Sequence, residues 1–574
     1  MLPEFAKRLV PFYPASIILI FVTLLVHSSW TNAPVWHEPS QLLAGLNIWQ
    51  FSRFDTQSVN PPLVRAVAAL PVLFLSPNHD KNKFNRPPAD RNEFHLGSIF
   101  LHDNIDRSRT FFFVGRLACI LFSVVGIFYC YRFTKDLFGA TSGIFVLLFI
   151  CFSPFFLGHG ATMMNDVPTA FMAVIAVYFF WKWLKRPEMP EGIIAGIMLG
   201  LAALSKFTLL IFYPLFFTLW LLYRLPDYKF LKLKGMSRQF VNLCVLYVIS
   251  IFVINCGYLG SGTFTSLDSF RFKSLALTGQ PTLKAVPFNG ANRFEGTLLG
   301  KLPVPLPKDM VQGIDLQKFD FERGFPSYLR GQWSDHGWWY YYLYALLIKT
   351  PLGTLGLLLL AIYCTFFIKE CNTSWRDEMV ILLPGLVLLV FVSSQTGFSV
   401  HSRYVIPALP FFFIWISKVG KAVSWKRPVL STIAIGLLLW SVSSSLSFYP
   451  HSISYFNELA GKPKNYPKHL LDSNIDWGQD LFYLERWCQA NPDVTEIQVA
   501  VWGSYSLTAT TIPSTGMPLA NDPQPGWYAI SVNYIYDRSG QYRYFLNFEP
   551  VARAGYSIWI YDLTQEDVDV FYTD

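Results

Sequence analysis

Two carboxylates and several cations stand where apolar runs end, positions at which an ionisable group is costly unless paired or solvated. Glu38 lies in Trp36-His37-Glu38-Pro39-Ser40-Gln41-Leu42, a few residues past an apolar run that ends near Trp30. Asp166 follows Met164-Asn165, between two such runs with almost no loop. Lys206 sits in Leu204-Ser205-Lys206-Phe207, Lys349 in Ile348-Lys349-Thr350-Pro351, and Arg403 in His401-Ser402-Arg403-Tyr404. Two acids and two or three cations on one face suit group transfer from a phosphate-linked donor. The cations neutralise charge growing on the departing phosphate, and one carboxylate orients and deprotonates an acceptor hydroxyl. A lipid-linked phosphate accounts for a site at a bilayer surface. Glu38 and Asp166 are therefore the expected acids, and Lys206 and Arg403 the expected phosphate contacts, with His401 beside them. Asn60, His159, Trp338 and Lys349 are expected to touch substrate.

Each residue also has a plainer role. Asp166 before Val167-Pro168 suits a helix N-cap with proline in the first turn, and Glu38 before Pro39 does likewise. Lys206 and Lys349 can snorkel to headgroups. His159 and His401 can be hydrogen-bonded core histidines, and Trp338-Trp339-Tyr340-Tyr341-Tyr342 suits an interfacial belt.

Composition sets the elements that must position these groups. Of 574 residues, 52% are hydrophobic and only 15% charged, with mean hydropathy +0.33, so a membrane protein is expected. The net charge of +8 collects at alternate ends of the apolar runs, a topology signal that argues against nucleic-acid binding. Six of eight cysteines lie within or at the ends of apolar runs, and no CxxC or Cys/His spacing appears, so neither a zinc site nor a disulfide framework is supported.

Runs long enough to cross a ~30 Å hydrocarbon core recur at about 9–30, 111–131, 141–158, 167–184, 192–205, 207–223, 240–259, 346–368, 379–395, 404–417 and 428–448. The expectation is a polytopic α-helical protein of about eleven spans. The first run reads as an uncleaved span rather than a signal peptide, since no small-residue cleavage site precedes His27-Ser28-Ser29. Lys7-Arg8, Arg132 with Lys135, Lys182 with Lys185-Arg186, the Arg224–Arg238 stretch, Lys369 with Arg376, and Lys418 through Arg427 fall on one side, expected to be the cytoplasm. That puts the N-terminus inside and the C-terminus outside.

Three outer segments are long. The first, about 31–110, carries the Glu38 motif, an Asn60-Pro61-Pro62-Leu63 break, an apolar helix (Leu63–Leu75) and a polar loop. The second, about 260–337, includes Leu302-Pro303-Val304-Pro305-Leu306-Pro307, whose prolines favour an extended path. The tail, 449–574, switches to strand-like runs (Ile497–Trp502, Trp527–Tyr536, Tyr556–Tyr561) around a helix near Gln479–Gln489, a small extracytoplasmic α/β domain beside a membrane domain of residues 1–448. Asp472, Asn474, Asp476 and Gln479 there suit a sugar-binding edge or a capped strand-to-helix turn.

The chain resembles the GT-C class of integral membrane glycosyltransferases, specifically bacterial relatives of dolichyl-phosphate-mannose protein mannosyltransferases and of the aminoarabinose lipid A transferase. The motifs above carry the resemblance, together with Leu42-Leu43-Ala44-Gly45, Ser153–Asp166, Gly337-Trp338-Trp339-Tyr340 and, in the tail, Tyr455–Gly461 and Asp472–Leu481. The resemblance implies a GT-C fold and inverting transfer of a sugar from a polyprenyl-phosphate carrier to a lipid, glycan or protein acceptor at the outer face of the cytoplasmic membrane. It implies no cofactor and no metal in the nearest relatives, although some members of the class use a divalent cation. Members usually carry Asp-Glu in the first loop. Here the pair is His37-Glu38, with Gln41 where a histidine is common, which leaves Glu38 as the surviving acid and His37 as a candidate proton relay. Two rivals follow: a lipid-linked sugar flippase, in which the same charges bind without reacting, and a catalytically altered pseudo-enzyme. A transporter would place its ionisable groups near the bilayer midplane, whereas these stack at one face.

Overall fold

The computed structural model describes residues 13–84, 91–227 and 233–573. Lys7, Arg8 and part of the Arg224–Arg238 stretch lie outside the described residues. Every expected apolar run forms helix, but the runs differ in length. Among the described residues seven helices are long and apolar enough to cross a membrane, or eight if Tyr341–Lys349 and Leu352–Phe367, bent by 109° at Thr350-Pro351, count as one span. Three expected spans are shorter. Run 141–158 stops as a helix at Cys151, before Ser153-Pro154, and restarts as Pro154–His159. Run 192–205 forms Met189–Ala203, after which the chain turns off at Lys206. Run 404–417 divides into a 3-10 segment, Ser402–Ala408, and an eight-residue helix, Leu409–Ile416, around Pro407 and Pro410. Proline removes an amide donor and clashes with the preceding turn, which explains the first and third breaks.

Lys135, Lys182 with Lys185, and Arg224 occupy the last turns of their helices, while Asp166 opens the helix that Lys182 and Lys185 close. The basic ends and the acid therefore lie at opposite ends of that helix. In the first outer segment, helix Glu38–Phe51 lies against Leu63–Leu73. Gly45 permits that approach, since a Cβ there would stand 2.2 Å from the Arg65 carbonyl oxygen.

Glu38 is fully buried, and its position corrects the expectation that it acts on substrate. Arg116, inside the 31-residue helix Ser108–Phe138, donates Nε to Glu38 Oε1 (2.9 Å) and Nη2 to Oε2 (2.5 Å). The amides of Met163 (2.9 Å) and Val35 (2.8 Å) take the remaining lone-pair directions. The other Arg116 donors go to the carbonyls of Ser29, Asn32 and Ala33 at 2.8–2.9 Å. All five guanidinium hydrogens are thus used, and neither Glu38 oxygen is left to accept a substrate proton.

The tail holds a five-stranded mixed sheet in the order β4-β3-β5-β7-β6: β3 (Ile497–Ala500), β4 (Ser514–Gly516), β5 (Gly526–Ser531), β6 (Ala552–Ala554) and β7 (Ile558–Leu563). β3 runs parallel to β4 and β5; β7 is antiparallel to β5 and β6. A hairpin, β1 (Ser327–Leu329) and β2 (Gln332–Ser334), precedes it. Helix Leu481–Ala490 and β3 share one buried core with the first outer segment through Leu42, Leu46, Phe482 and Ile497. The connecting stretch 472–480 runs inward. The Ala33 amide donates to the Gln479 carbonyl (2.9 Å) and the Trp36 amide to that of Trp477 (3.0 Å), while Lys349 Nζ donates to the Ile453 carbonyl (2.8 Å) and to that of Asn474.

Two predictions concern these contacts. Removing one member of a buried ion pair strands the other charge, so Arg116→Met should destabilise the protein by about 3–5 kcal/mol, and Arg116→Met with Glu38→Gln by less than the sum of the single changes, read from thermal unfolding in detergent. Asp476 is buried, and burial pushes its carboxyl up to about 7 against the hydrogen bonds from Ser531 and the Gly478 amide. The folded chain then keeps a proton that the unfolded chain loses near pH ~4, so this group's contribution to stability falls as pH rises from about 4 to about 7. Melting temperature should drop more steeply over that range in the wild type than in Asp476→Asn.

Candidate active site

Asp166, Lys206 and Arg403 meet at the end of the bundle where helix Asp166–Lys185 begins, all buried. Lys206 Nζ lies 2.6 Å from Asp166 Oδ1 and Arg403 Nη1 3.1 Å from Oδ2. Three elements bring them together: the first turn of Asp166–Lys185, the break after Met189–Ala203, and the segment Ser402–Ala408. Two cations against one carboxylate leave an excess positive charge. The Lys206 ammonium lies 4.9 Å from the Tyr404 ring centre, and the Arg403 guanidinium 4.3 Å from that of Trp477. Asn165 is braced beside them, accepting from Gln41 Nε2 (2.7 Å) and donating to the Ser205 carbonyl (2.7 Å).

The cluster lines a cavity of about 110 Å³ shared with His37, Asn60, Arg91 and Tyr342; Phe391, Val392 and Gln395 complete one wall. Those three belong to the membrane-length helix Trp375–Ser394 or follow it directly, so charged and apolar surfaces adjoin. A second cavity of about 480 Å³ shares His37, Arg91, Asp320, Phe398 and Tyr404 with the first. Trp36, Trp477, Trp502, His401 and Asp472 give it a different character. The Trp36 and Trp502 rings stack with centres 5.1 Å apart.

In this second cavity His401 Nδ1 is 2.8 Å from Ser473 Oγ and 3.1 Å from Asp472 Oδ1. Among the described residues only Nδ1 of that ring takes part in a hydrogen bond. Burial lowers His401, Asp472 opposes the shift and Arg403 adds to it, with a net fall. Burial pushes the Asp472 carboxyl up, but His401, a hydrogen bond from the Ser473 amide and Arg403 outweigh it and bring it down to about 2. Burial, then Arg403, His401 and Arg91, hold His37 well below the ordinary histidine value. His37 Nδ1 lies 3.2 Å from the Trp477 indole nitrogen.

The structure thus brings together Asp166, His37, Lys206, Arg403, His401 and Asn60, and separates four other expected site residues. Glu38 is saturated by Arg116 and two amides. Lys349 points into the tail, its ammonium 4.5 Å from the Phe456 ring centre, and lines neither cavity. His159 is buried against Trp477, ring centres 5.7 Å apart. Trp338 packs with the core that contains Tyr341 and Tyr342, and of that aromatic run only Tyr342 reaches the first cavity. Of the polar tail residues, Asn474 and Gln479 bind protein groups and Asp476 is held by Ser531 and Gly478, while Asp472 faces the cavity. Arg91 and Asp320 carried no assignment in the sequence, while Asp472 belonged to the tail stretch expected to form a sugar-binding edge or a capped turn. Arg116 carried a signal, because a guanidinium within an apolar run requires a buried partner.

The profile of the family described as dolichyl-phosphate-mannose-protein mannosyltransferase matches residues 110–254. No curated protein sequence matches the chain. Among solved structures, ArnT from Cupriavidus metallidurans bound to undecaprenyl phosphate is similar at 11% identity, over 95% of this chain and 97% of that one, with a TM-score of 0.45. The Archaeoglobus fulgidus oligosaccharyltransferase tethered to an acceptor peptide is similar at 12% identity, over 97% of this chain and 74% of that one, with a TM-score of 0.41. With the mannosyltransferase profile on its bundle, the chain resembles the GT-C membrane glycosyltransferases.

Proposed function

We propose that this protein is an inverting membrane glycosyltransferase, moving a sugar from a polyprenyl-phosphate donor to an acceptor hydroxyl at the outer face of the cytoplasmic membrane. One observation carries the reading: a buried cluster with excess positive charge opens onto a cavity whose other wall is a membrane-length helix. A phosphate joined to a lipid tail needs both surfaces at once. The undecaprenyl phosphate of the ArnT structure has that chemistry.

In this reading Lys206 and Arg403 take the donor phosphate, and Asp166 holds both cations in place before it arrives. The acceptor occupies the second cavity, whose lining includes the mutually stacked pair Trp36 and Trp502 as an apolar surface for a sugar ring. Its hydroxyl oxygen attacks the anomeric carbon, the bond from that carbon to the phosphate oxygen breaks, and polyprenyl phosphate leaves with the electron pair. His401 accepts the hydroxyl proton at Nε2, with Asp472 fixing the ring through Nδ1. The base role expected of Glu38 passes to this pair, because Glu38 has no free lone pair. Leaving-group charge is assigned to Lys206 and Arg403 rather than to a bound cation.

Purified protein in lipid nanodiscs, given undecaprenyl-phosphate hexoses and pentoses with a membrane extract as acceptor source, should release undecaprenyl phosphate. Asp166→Asn and Arg403→Gln should lower that rate by about a hundredfold or more, and EDTA should leave it unchanged. Turnover undiminished in both variants would reject the site. Lipid crossing the bilayer of proteoliposomes with no sugar release would establish a transporter.

A further inference from the structure

A separate cleft of about 600 Å³ opens between the β1–β2 hairpin, the Pro463–Lys468 segment and the β6–β7 edge of the tail sheet. Six cations line it against two carboxylates, Asp537 and Glu549. Lys464 is committed to Glu549 at 3.4 Å and Arg538 to Asp335 at 2.5 Å. Arg330, Lys468, Arg543 and Arg553 form no ion pair among the described residues. Such an excess of guanidinium in a concavity is built for oxyanions, which arginine recognises through paired N–H donors.

The walls add a second kind of surface. Tyr328, Trp333, Tyr536 and Trp559 line the same cleft. Trp333 is fixed by its indole donating to the Tyr536 carbonyl (3.2 Å) and by an edge contact with Tyr328, centres 5.2 Å apart. The Arg553 guanidinium lies 5.4 Å from the Trp559 ring centre. Aromatic faces give sugar rings an apolar contact, and the arginines select negative charge.

The cleft also adjoins the second cavity of the active site. Phe325 and Pro326 line that cavity, and the next residues, Ser327–Leu329, are β1, whose Tyr328 lines the cleft. A bound oligosaccharide has only one short strand to cross between them. We propose that the cleft binds a saccharide bearing phosphate or carboxylate groups, anchoring an anionic glycan acceptor while its hydroxyl reaches the second cavity. The acceptor role rests on the glycosyltransferase reading above; the binding does not.

The test uses the full chain in phosphatidylcholine nanodiscs. The probes are a phosphorylated dextran oligosaccharide, the same oligosaccharide without phosphate, inorganic phosphate, and phosphatidylglycerol vesicles. The phosphorylated oligosaccharide should bind at least about tenfold more tightly than the neutral one, and should weaken as salt rises. Arg543→Gln with Arg553→Gln should cost about tenfold or more at an unchanged melting temperature. Asp166→Asn, expected to be inactive in transfer, should bind as the wild type. Equal binding of both oligosaccharides, undiminished binding by the double variant, or response to inorganic phosphate or the vesicles alone would overturn the proposal. Binding without sugar transfer by the wild type would leave the cleft and remove the transferase; transfer by the wild type without binding would do the reverse.

Discussion

A guanidinium inside a membrane-length helix dictates much of this molecule. Arg116 sits in a helix whose neighbouring residues are apolar, and leaving it unpaired there would cost about 3–5 kcal/mol, a large share of the roughly 5–15 kcal/mol by which a folded chain is stable. The chain satisfies it by folding the first loop over it: three carbonyls from residues 29–33 and the Glu38 carboxylate take all five hydrogens. Glu38 then fixes Met163 and Val35 through their amides. Two residues from Met163 stands Asn165, and next to it Asp166. The structural ion pair therefore helps to fix where the Asp166–Lys206–Arg403 cluster is held.

The second determinant is the stretch 472–480. It leaves the tail sheet and inserts between the first loop and Ser402–Ala408, so the soluble-looking end of the chain supplies part of the wall of the second cavity. Trp477 contacts His37, Arg403 and His159; Ser473 and Asp472 hold His401. The inward-facing polar groups are matched with backbone partners, which permits a segment this polar to be buried. The excess cationic charge at Lys206 and Arg403 is enclosed from that side.

Much of this was legible in the sequence. Most apolar runs became helices, with 141–158 and 404–417 broken at prolines, and in the tail β3, β7 and helix Leu481–Ala490 lie close to their patterns, whereas the end of the Trp527–Tyr536 run, Val532–Ile535, is helical. Asp166, Lys206 and Arg403, more than 200 residues apart at the extremes, converge as their shared position at helix ends implied. Glu38 deceived because an acid beyond a span reads alike whether it meets substrate or a buried arginine; only the third dimension shows which. Lys349 misled for the same reason, its partners being carbonyls of the tail, which leave no mark in sequence. Eleven apolar runs correspond to seven or eight membrane-length helices among the described residues, because hydropathy registers apolarity and not helix continuity, and prolines at 154, 407 and 410 interrupt the helix.

The contact between Trp477 and His37 has a consequence for what this site can recognise. An indole N–H only donates, so Nδ1 of His37 must offer a lone pair, and a neutral ring then carries its hydrogen on Nε2. The shared wall of the two cavities thus presents a hydrogen-bond donor without charge. Members of the resembled class usually place aspartate at that position, an acceptor with a full negative charge. Exchanging one for the other reverses hydrogen-bond polarity and removes one negative charge from between the cavities. A ligand that suits the aspartate offers a hydroxyl to it; a ligand that suits this protein offers an oxygen lone pair, and meets less repulsion if it is itself an anion.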